Sequence, residues 1–264
     1  ASENFKITGT MVHPELIRAM AEVKIACAMA NKDAGVLDSR IADSIIAAGR
    51  EVVSGKLLDN FIVDSIQGGA GTSMNMNTNE VISNRAIELL GGAKGDYSIV
   101  HPNDHTNCGQ STNDVIPSAG RIATIRLLEG AISELELLYD DFLIKAEKYK
   151  NVIKMGRTEM QDAVPISFGQ VFSAYASAIK RDIRRFNSAI DEMSCVNMGA
   201  TAIGTALNVS PYYLNHIVPE LSKVTGYELV QAKNLFDGTE YQFFHEGPKG
   251  DHSAWGTKCF NYSK

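Results

Sequence analysis

Two long seams of apolar residues constrain this chain more than any other feature. Ile125, Leu128, Ile132, Leu135, Tyr139, Phe142, Ala146 and Tyr149 recur alternately three and four positions apart. Sustained over more than six turns at about 3.6 residues per turn, this heptad spacing demands a long helix with one buried face. Phe168, Phe172, Tyr175, Ile179, Ile183, Phe186, Ile190 and Met193 form a second seam. With a loop expected around 151–165, the two predict an antiparallel pair in a long bundle. A hairpin of this length does not bury all its apolar sides alone, so further helices or other copies of the chain must cover them.

Shorter helical patterns flank the pair. Pro14 suits a first helical turn, ahead of an inward face of Leu16, Met20, Val23, Cys27 and Ala30. Ser39 is expected to cap a second helix with Ile41, Ile45, Ala48 and Val52 inward. A third follows the run Gly68–Gly71, buries Val81, Ile82, Ala86 and Leu89, and stops at Gly91-Gly92. Ser210-Pro211 opens a later helix with Tyr213, Ile217, Leu221 and Val224 inward, and Gly226 ends it. Tyr97–Val100 is the one short strand expected. The fold class is therefore mainly all-α.

Composition narrows the function. Lys plus Arg is 25 against 31 Asp plus Glu, a formal net charge of -6, which argues against a nucleic-acid-coating surface. No apolar run approaches the roughly 20 residues of a membrane span, and Ala1–Asn4 has no signal-sequence pattern. The four cysteines (27, 108, 195 and 259) form no CxxC pair, so a reducing, cytoplasmic setting is expected.

Three polar loops are rich enough to carry chemistry. Gly68–Asn79 combines glycines with Thr72, Ser73 and Asn75 ahead of a helix start, an arrangement friendly to anions. A plain capped loop has the same composition. His101–Asp114 holds Ser111, Thr112 and Asn113 just before the first long helix, where they either cap it or face a site. His101, His105 and Cys108 lack a clear fourth ligand, so no metal is expected. Lys154–Pro165 carries Lys154 and Arg157 as cations for a carboxylate, or as ordinary solvated charges. A softer segment, Gly199–Asn208, is small and polar, suited to tight packing or a cavity wall. These residues by themselves do not specify a reaction.

Together they resemble the aspartase/fumarase superfamily. The resemblance spans roughly residues 4–233. It rests on Gly68–Asn79, HPNDH at His101–His105, QSTND at Gln110–Asp114, GRTxxQDAxP at Gly156–Pro165, and MGATAIGTALN at Met198–Asn208. Within it, Ser111-Thr112-Asn113 and Asn79-Glu80-Val81 are similar to the aspartate-deaminating branch, and Glu159 stands where fumarases usually carry histidine. The resemblance implies a partial aspartase/fumarase-type long bundle with a smaller N-terminal helical domain, divided as 1–112 and 113–233. It implies reversible elimination of ammonia from L-aspartate to give fumarate, with no organic cofactor. Thr72, Ser111, Thr112, Asn113 and Thr158 would bind the small dicarboxylate substrate, and His101 would form a secondary anion site. Family members are homotetramers. No nucleic-acid or membrane partner is implied.

Two departures set further expectations. The family's flexible Gly-Ser-Ser loop, which supplies the serine base, is not in this sequence, so the catalytic base is unassigned and the chain alone is expected to be inactive. Residues 234–264 instead resemble a short stretch of glycogen branching enzymes, without their catalytic carboxylates, and are expected to be a chimeric joint near Asn234–Asp237. The alternatives are a fumarate hydratase or a non-catalytic helical scaffold; a glucan transferase has no support beyond that tail.

Overall fold

The computed structural model describes residues 2–4, 6–67 and 69–240. The described chain is mainly helical: α1 (Pro14–Asp33), α2 (Ser39–Val53), α3 (Thr72–Leu89), α4 (Thr112–Lys148), α5 (Phe168–Met193), α6 (Pro211–Thr225) and α7 (Leu235–Glu240). Four short strands join them: β1 (Ile153–Thr158), β2 (Gln161–Ser167), β3 (Cys195–Val196) and β4 (Val230–Gln231). It forms two compact units, Ala1–Thr124 with Ser194–Lys264, and Ile125–Met193. This grouping puts 194 onward with the N-terminal helices, which differs from the division at 112/113.

The first unit is built around α1. Met20, Val23, Cys27 and Ala30 are buried as the spacing predicts, and so are Ala19, Ala21, Lys24 and Ile25 on its other sides. A helix apolar all round belongs at a centre, and α2 and α6 both pack on α1. The α1–α2 crossing is close: a Cβ on Gly49 would stand 2.6 Å from Ile25 Cγ1. The cap of α2 is Asp38, whose carboxylate accepts from the Arg40 and Ile41 N–H groups, with Ser39 already inside the helix. The charged acceptor one residue earlier takes that role. The α6 cap is Ser210, with Pro211 in the first turn and Gly226 left-handed at the end. Leu89, expected inward, is 42% exposed in the last turn of α3. Residues 97–100 form turns rather than a strand, closed by Ile99 N–H donating to Asp96 O at 3.1 Å.

The N-terminal strap is pinned by Asp64. Its carboxylate accepts from Ile66 N–H at 2.8 Å, the Thr8 hydroxyl at 2.8 Å, and the Thr8 and Gly9 N–H groups at 2.7 Å each. These donors, the Ile66 N–H foremost, hold it well below the usual carboxylate range.

The second unit contains the helical pair. Its seam is aromatic and only half-buried: Phe142 lies 6.2 Å from Phe172 and 5.5 Å from Tyr175, and Tyr149 lies 6.0 Å from Phe172. Between the helices β1 and β2 form an antiparallel hairpin where a loop was expected, pairing Ile153 with Ser167 and Thr158 with Gln161. Its two-residue turn places Glu159 (φ 49) and Met160 (φ 65) in the left-handed region. That geometry matches strand twist, but glycine or asparagine usually supplies it, so the turn left no signal in the sequence.

The expected chimeric tail falls mostly outside the described residues; only the short α7 is described before 241.

Candidate active site

The start of α4 organises the candidate site in the first unit. Ser111 precedes the helix, and its hydroxyl accepts the Asn113 N–H at 3.2 Å. Its own N–H donates to Asp114 Oδ1 at 2.9 Å. This reciprocal pair is a capping box with aspartate as its acid. The second carboxylate oxygen of Asp114 accepts the Thr201 N–H at 3.0 Å. One fully buried carboxylate thus ties the helix start to the Met198–Asn208 segment. That segment follows an irregular path, with Gly199, Thr201, Gly204, Ala206 and Asn208 all at positive φ. The Asn113 side chain adds a bond, Nδ2 to Ala202 O at 2.7 Å.

Pro117 inside α4 has no N–H to offer the Asn113 carbonyl four residues back. The Asn197 side-chain amide donates there instead, at 3.1 Å. The proline gap in the ladder is how α4 and residue 197 come to be joined.

Thr112, the first helical residue, accepts from Asn75 Nδ2 at 3.1 Å. Asn75 is buried in the first turn of α3, and Gly71 precedes that turn at φ 89, where a Cβ would meet Ile116 at 3.0 Å. Thr72 opens α3, and its hydroxyl donates to Gly69 O at 2.6 Å. Behind Asn75 sits Lys24, fully buried, its Nζ donating to Asn107 Oδ1 and Gln110 Oε1 at 2.8 Å each.

Burial dominates the electrostatics here. Desolvation drops Lys24 to about 7, against the opposing pull of Cys27 and Asp114. Desolvation likewise raises Asp114 to about 7, against the Ser111, Thr201 and Gly199 N–H groups and Lys24. The Cys27 thiol, which accepts from the Tyr213 hydroxyl at 3.2 Å, is pushed up to about 12 by burial.

His101 caps a π-helical turn at Pro102–Thr106: its Nδ1 accepts the Asn103 and Asp104 N–H groups at 3.3 and 3.2 Å. His105 Nδ1 in turn accepts the His101 N–H at 2.9 Å. Both imidazoles serve the loop, and among the described residues no group of three His, Cys, Asp or Glu is placed to hold a metal. Thr158 lies in the second unit at the end of β1, exposed. Arg157 beside it pairs with Asp162 at 2.9 Å, and the Lys154 ammonium stands 5.7 Å from the centre of the Phe168 ring.

The structure thus gathers Ser111, Thr112 and Asn113 at one helix start, with Thr112 bonded to α3 through Asn75, three residues after Thr72. Sequence reasoning named Asn75 only as a loop donor and missed Lys24, Asn107, Asp114 and Asn197. A signal for Lys24 existed: it is a lone charge within the apolar run Val23-Lys24-Ile25-Ala26-Cys27.

The family profile described as "Lyase" matches residues 1–244, and the chain belongs to that family. It is 51% identical over 240 residues to the aspartate ammonia-lyase of Bacillus subtilis, covering 91% of this chain and 50% of that protein. Among solved structures it resembles the fumarate lyase:delta crystallin of Brucella melitensis, with TM-score 0.88, 43% identity, and 91% and 53% of the two chains covered. The class II fumarase of Schistosoma mansoni follows at TM-score 0.83 and 33% identity, with 91% and 55% covered. The chain spans about half the length of the curated relatives it matches.

Proposed function

We propose that this chain carries the dicarboxylate-binding part of a carbon-nitrogen lyase that converts L-aspartate reversibly to fumarate and ammonia. The observation that carries the reading is the direction of two hydroxyls. Thr112 Oγ1 accepts from the buried Asn75 amide and Ser111 Oγ from the Asn113 N–H two residues on, so each hydroxyl keeps its proton for a ligand, at a helix start that favours negative charge. Removing a proton next to a carboxylate makes that carboxylate doubly charged, and preorganised donors are the main means of stabilising it. The Thr72 hydroxyl spends its proton on Gly69 O and presents lone pairs, which suit the substrate ammonium. Asn113, and Thr158 by family resemblance, complete the proposed binding set. At His101, Nδ1 faces the Asn103 and Asp104 N–H groups, which leaves Nε2 for a secondary anion. No residue of this chain is assigned as the base, and no cofactor or metal is invoked.

Residues 1–112 are read as the N-terminal lyase domain and 113–233 as the first part of the central bundle. Copies of the chain are proposed to assemble as a homotetramer, which would cover the exposed apolar residues of α4 and α5.

Exchange of this segment into the Bacillus subtilis relative tests the reading. The hybrid is expected to consume L-aspartate and leave L-malate untouched, and Thr112→Ala is expected to lower its turnover at least tenfold, about what one buried charge-assisted hydrogen bond is worth. Consumption of L-malate instead would favour the fumarate hydratase reading. The chain by itself is expected to form no fumarate; turnover above a Thr112→Ala control would refute that.

A further inference from the structure

We propose that Lys24 and Asn75 are positioning residues which, through Asn107, fix the direction of the Thr112 hydroxyl. The inference rests on the reading of Thr112 as a carboxylate ligand.

Donor and acceptor inventory fixes the arrangement. A lysine Nζ donates and, as an ammonium, cannot accept. Lys24 Nζ lies 2.8 Å from Asn107 Oδ1, which makes that atom an acceptor. The other half of the same amide confirms the orientation, since Asn107 Nδ2 donates to Gln110 O at 3.2 Å. The Asn75 amide approaches the same Oδ1 at 3.4 Å and so must present its Nδ2 side. Turned over, it would set two oxygens against each other. That Nδ2 also faces Thr112 Oγ1 at 3.1 Å, where it can only donate. With one lone pair of the hydroxyl taken by a fixed donor, the Thr112 proton is directed away from Asn75.

The molecule tolerates a cost for this arrangement. Among the described residues Asn75 Oδ1 is buried without a hydrogen-bond partner. An unpaired buried acceptor is unfavourable. The Lys24–Asn107 pair holds it in place. Lys24 also lends Asp114 a counter-charge, but the bonds that an alkyl side chain at 24 would lose are those to Asn107 Oδ1 and Gln110 Oε1.

The test compares the chain with its Lys24→Met, Asn75→Ala and Thr112→Val variants and the double variant Lys24→Met/Thr112→Val. The first measurement needs no ligand: the side-chain amide resonances of Asn75 by 1H–15N NMR. One Asn75 Nδ2 proton is expected to move on Thr112→Val, which removes its acceptor, and also on Lys24→Met. The second is calorimetric titration with fumarate. Lys24→Met is expected to weaken binding about tenfold, and to change it less than about twofold once Thr112 is valine, because the two act through one hydroxyl. If Lys24→Met fails to fold, Asn75→Ala gives the same comparison. An unmoved Asn75 resonance in Thr112→Val overturns the proposal, and so does a loss from Lys24→Met that persists in the valine background. Should fumarate bind none of the proteins, the carboxylate reading of Thr112 fails, while the Asn75 resonance still decides the direction.

Discussion

The carboxylate of Asp114 accepts the backbone N–H of Thr201 across 3.0 Å, joining two residues 87 positions apart. The same side chain accepts the Ser111 N–H, so the helix start that carries Ser111 and Thr112 cannot shift without the 197–208 segment. Removing this carboxylate strands buried N–H donors and leaves Lys24 without its counter-charge. Asp114→Ala is therefore expected to cost about 3 kcal/mol, measured by denaturant unfolding. Asp114→Asn, which keeps one oxygen, is expected to cost about half as much. A loss below about 1 kcal/mol for the alanine variant would contradict the assigned role.

Stability should also depend on pH through the same residue. Folding raises Asp114 from an ordinary 3.8 to about 7, so between these values the folded chain holds a proton the unfolded chain has released. Its contribution to stability therefore falls as pH rises from about 4 to 7. Lys24 acts oppositely: lowered from 10.5 to about 7, its contribution rises as pH climbs through that range. Melting temperatures of the chain minus those of Asp114→Asn are expected to decline from pH 5 to 7. A flat difference would contradict burial as the cause.

Two glycine replacements should behave oppositely. Gly130 in α4 has open space where a Cβ would go, so Gly130→Ala should stabilise by up to about 1 kcal/mol through helix propensity. At Gly49 the same gain meets Ile25 Cγ1 at 2.6 Å, and a net loss of roughly 1 kcal/mol is expected. Equal stabilisation by both would mean that the α1–α2 crossing is looser than described.

The helical pair should drive self-association. Leu137 and Ile144, one heptad apart on α4, are 62% and 63% exposed. Exposed apolar stripes of this kind mark interaction surfaces. Leu137→Glu with Ile144→Glu is expected to shift sedimentation toward monomer at a given concentration. An unchanged profile would show that another face mediates assembly.

How much the sequence disclosed depended on periodicity. The α4 and α5 seams were legible because one side of each helix faces a single neighbour. Tyr213, Ile217 and Leu221 were legible for the same reason. Helix α1 was only half legible, since it is buried on nearly all sides and Lys24 breaks its pattern. The β1–β2 hairpin was not legible, because Glu159 and Met160 occupy its left-handed turn. At the candidate site the outward hydroxyls were named from the sequence. Of their supports only Asn75 was named, as a loop donor; the bonds of Asn107 to Lys24 and of Asp114 to Thr201 join residues far apart in the chain and leave no local pattern.

The most direct test of the whole account is a 1H–15N titration of the chain with fumarate. The largest backbone shifts are expected on the N–H groups of residues 111–114 and 72–75, and are expected to vanish in Thr112→Val. Saturable shifts centred elsewhere, or none at millimolar fumarate, would contradict it.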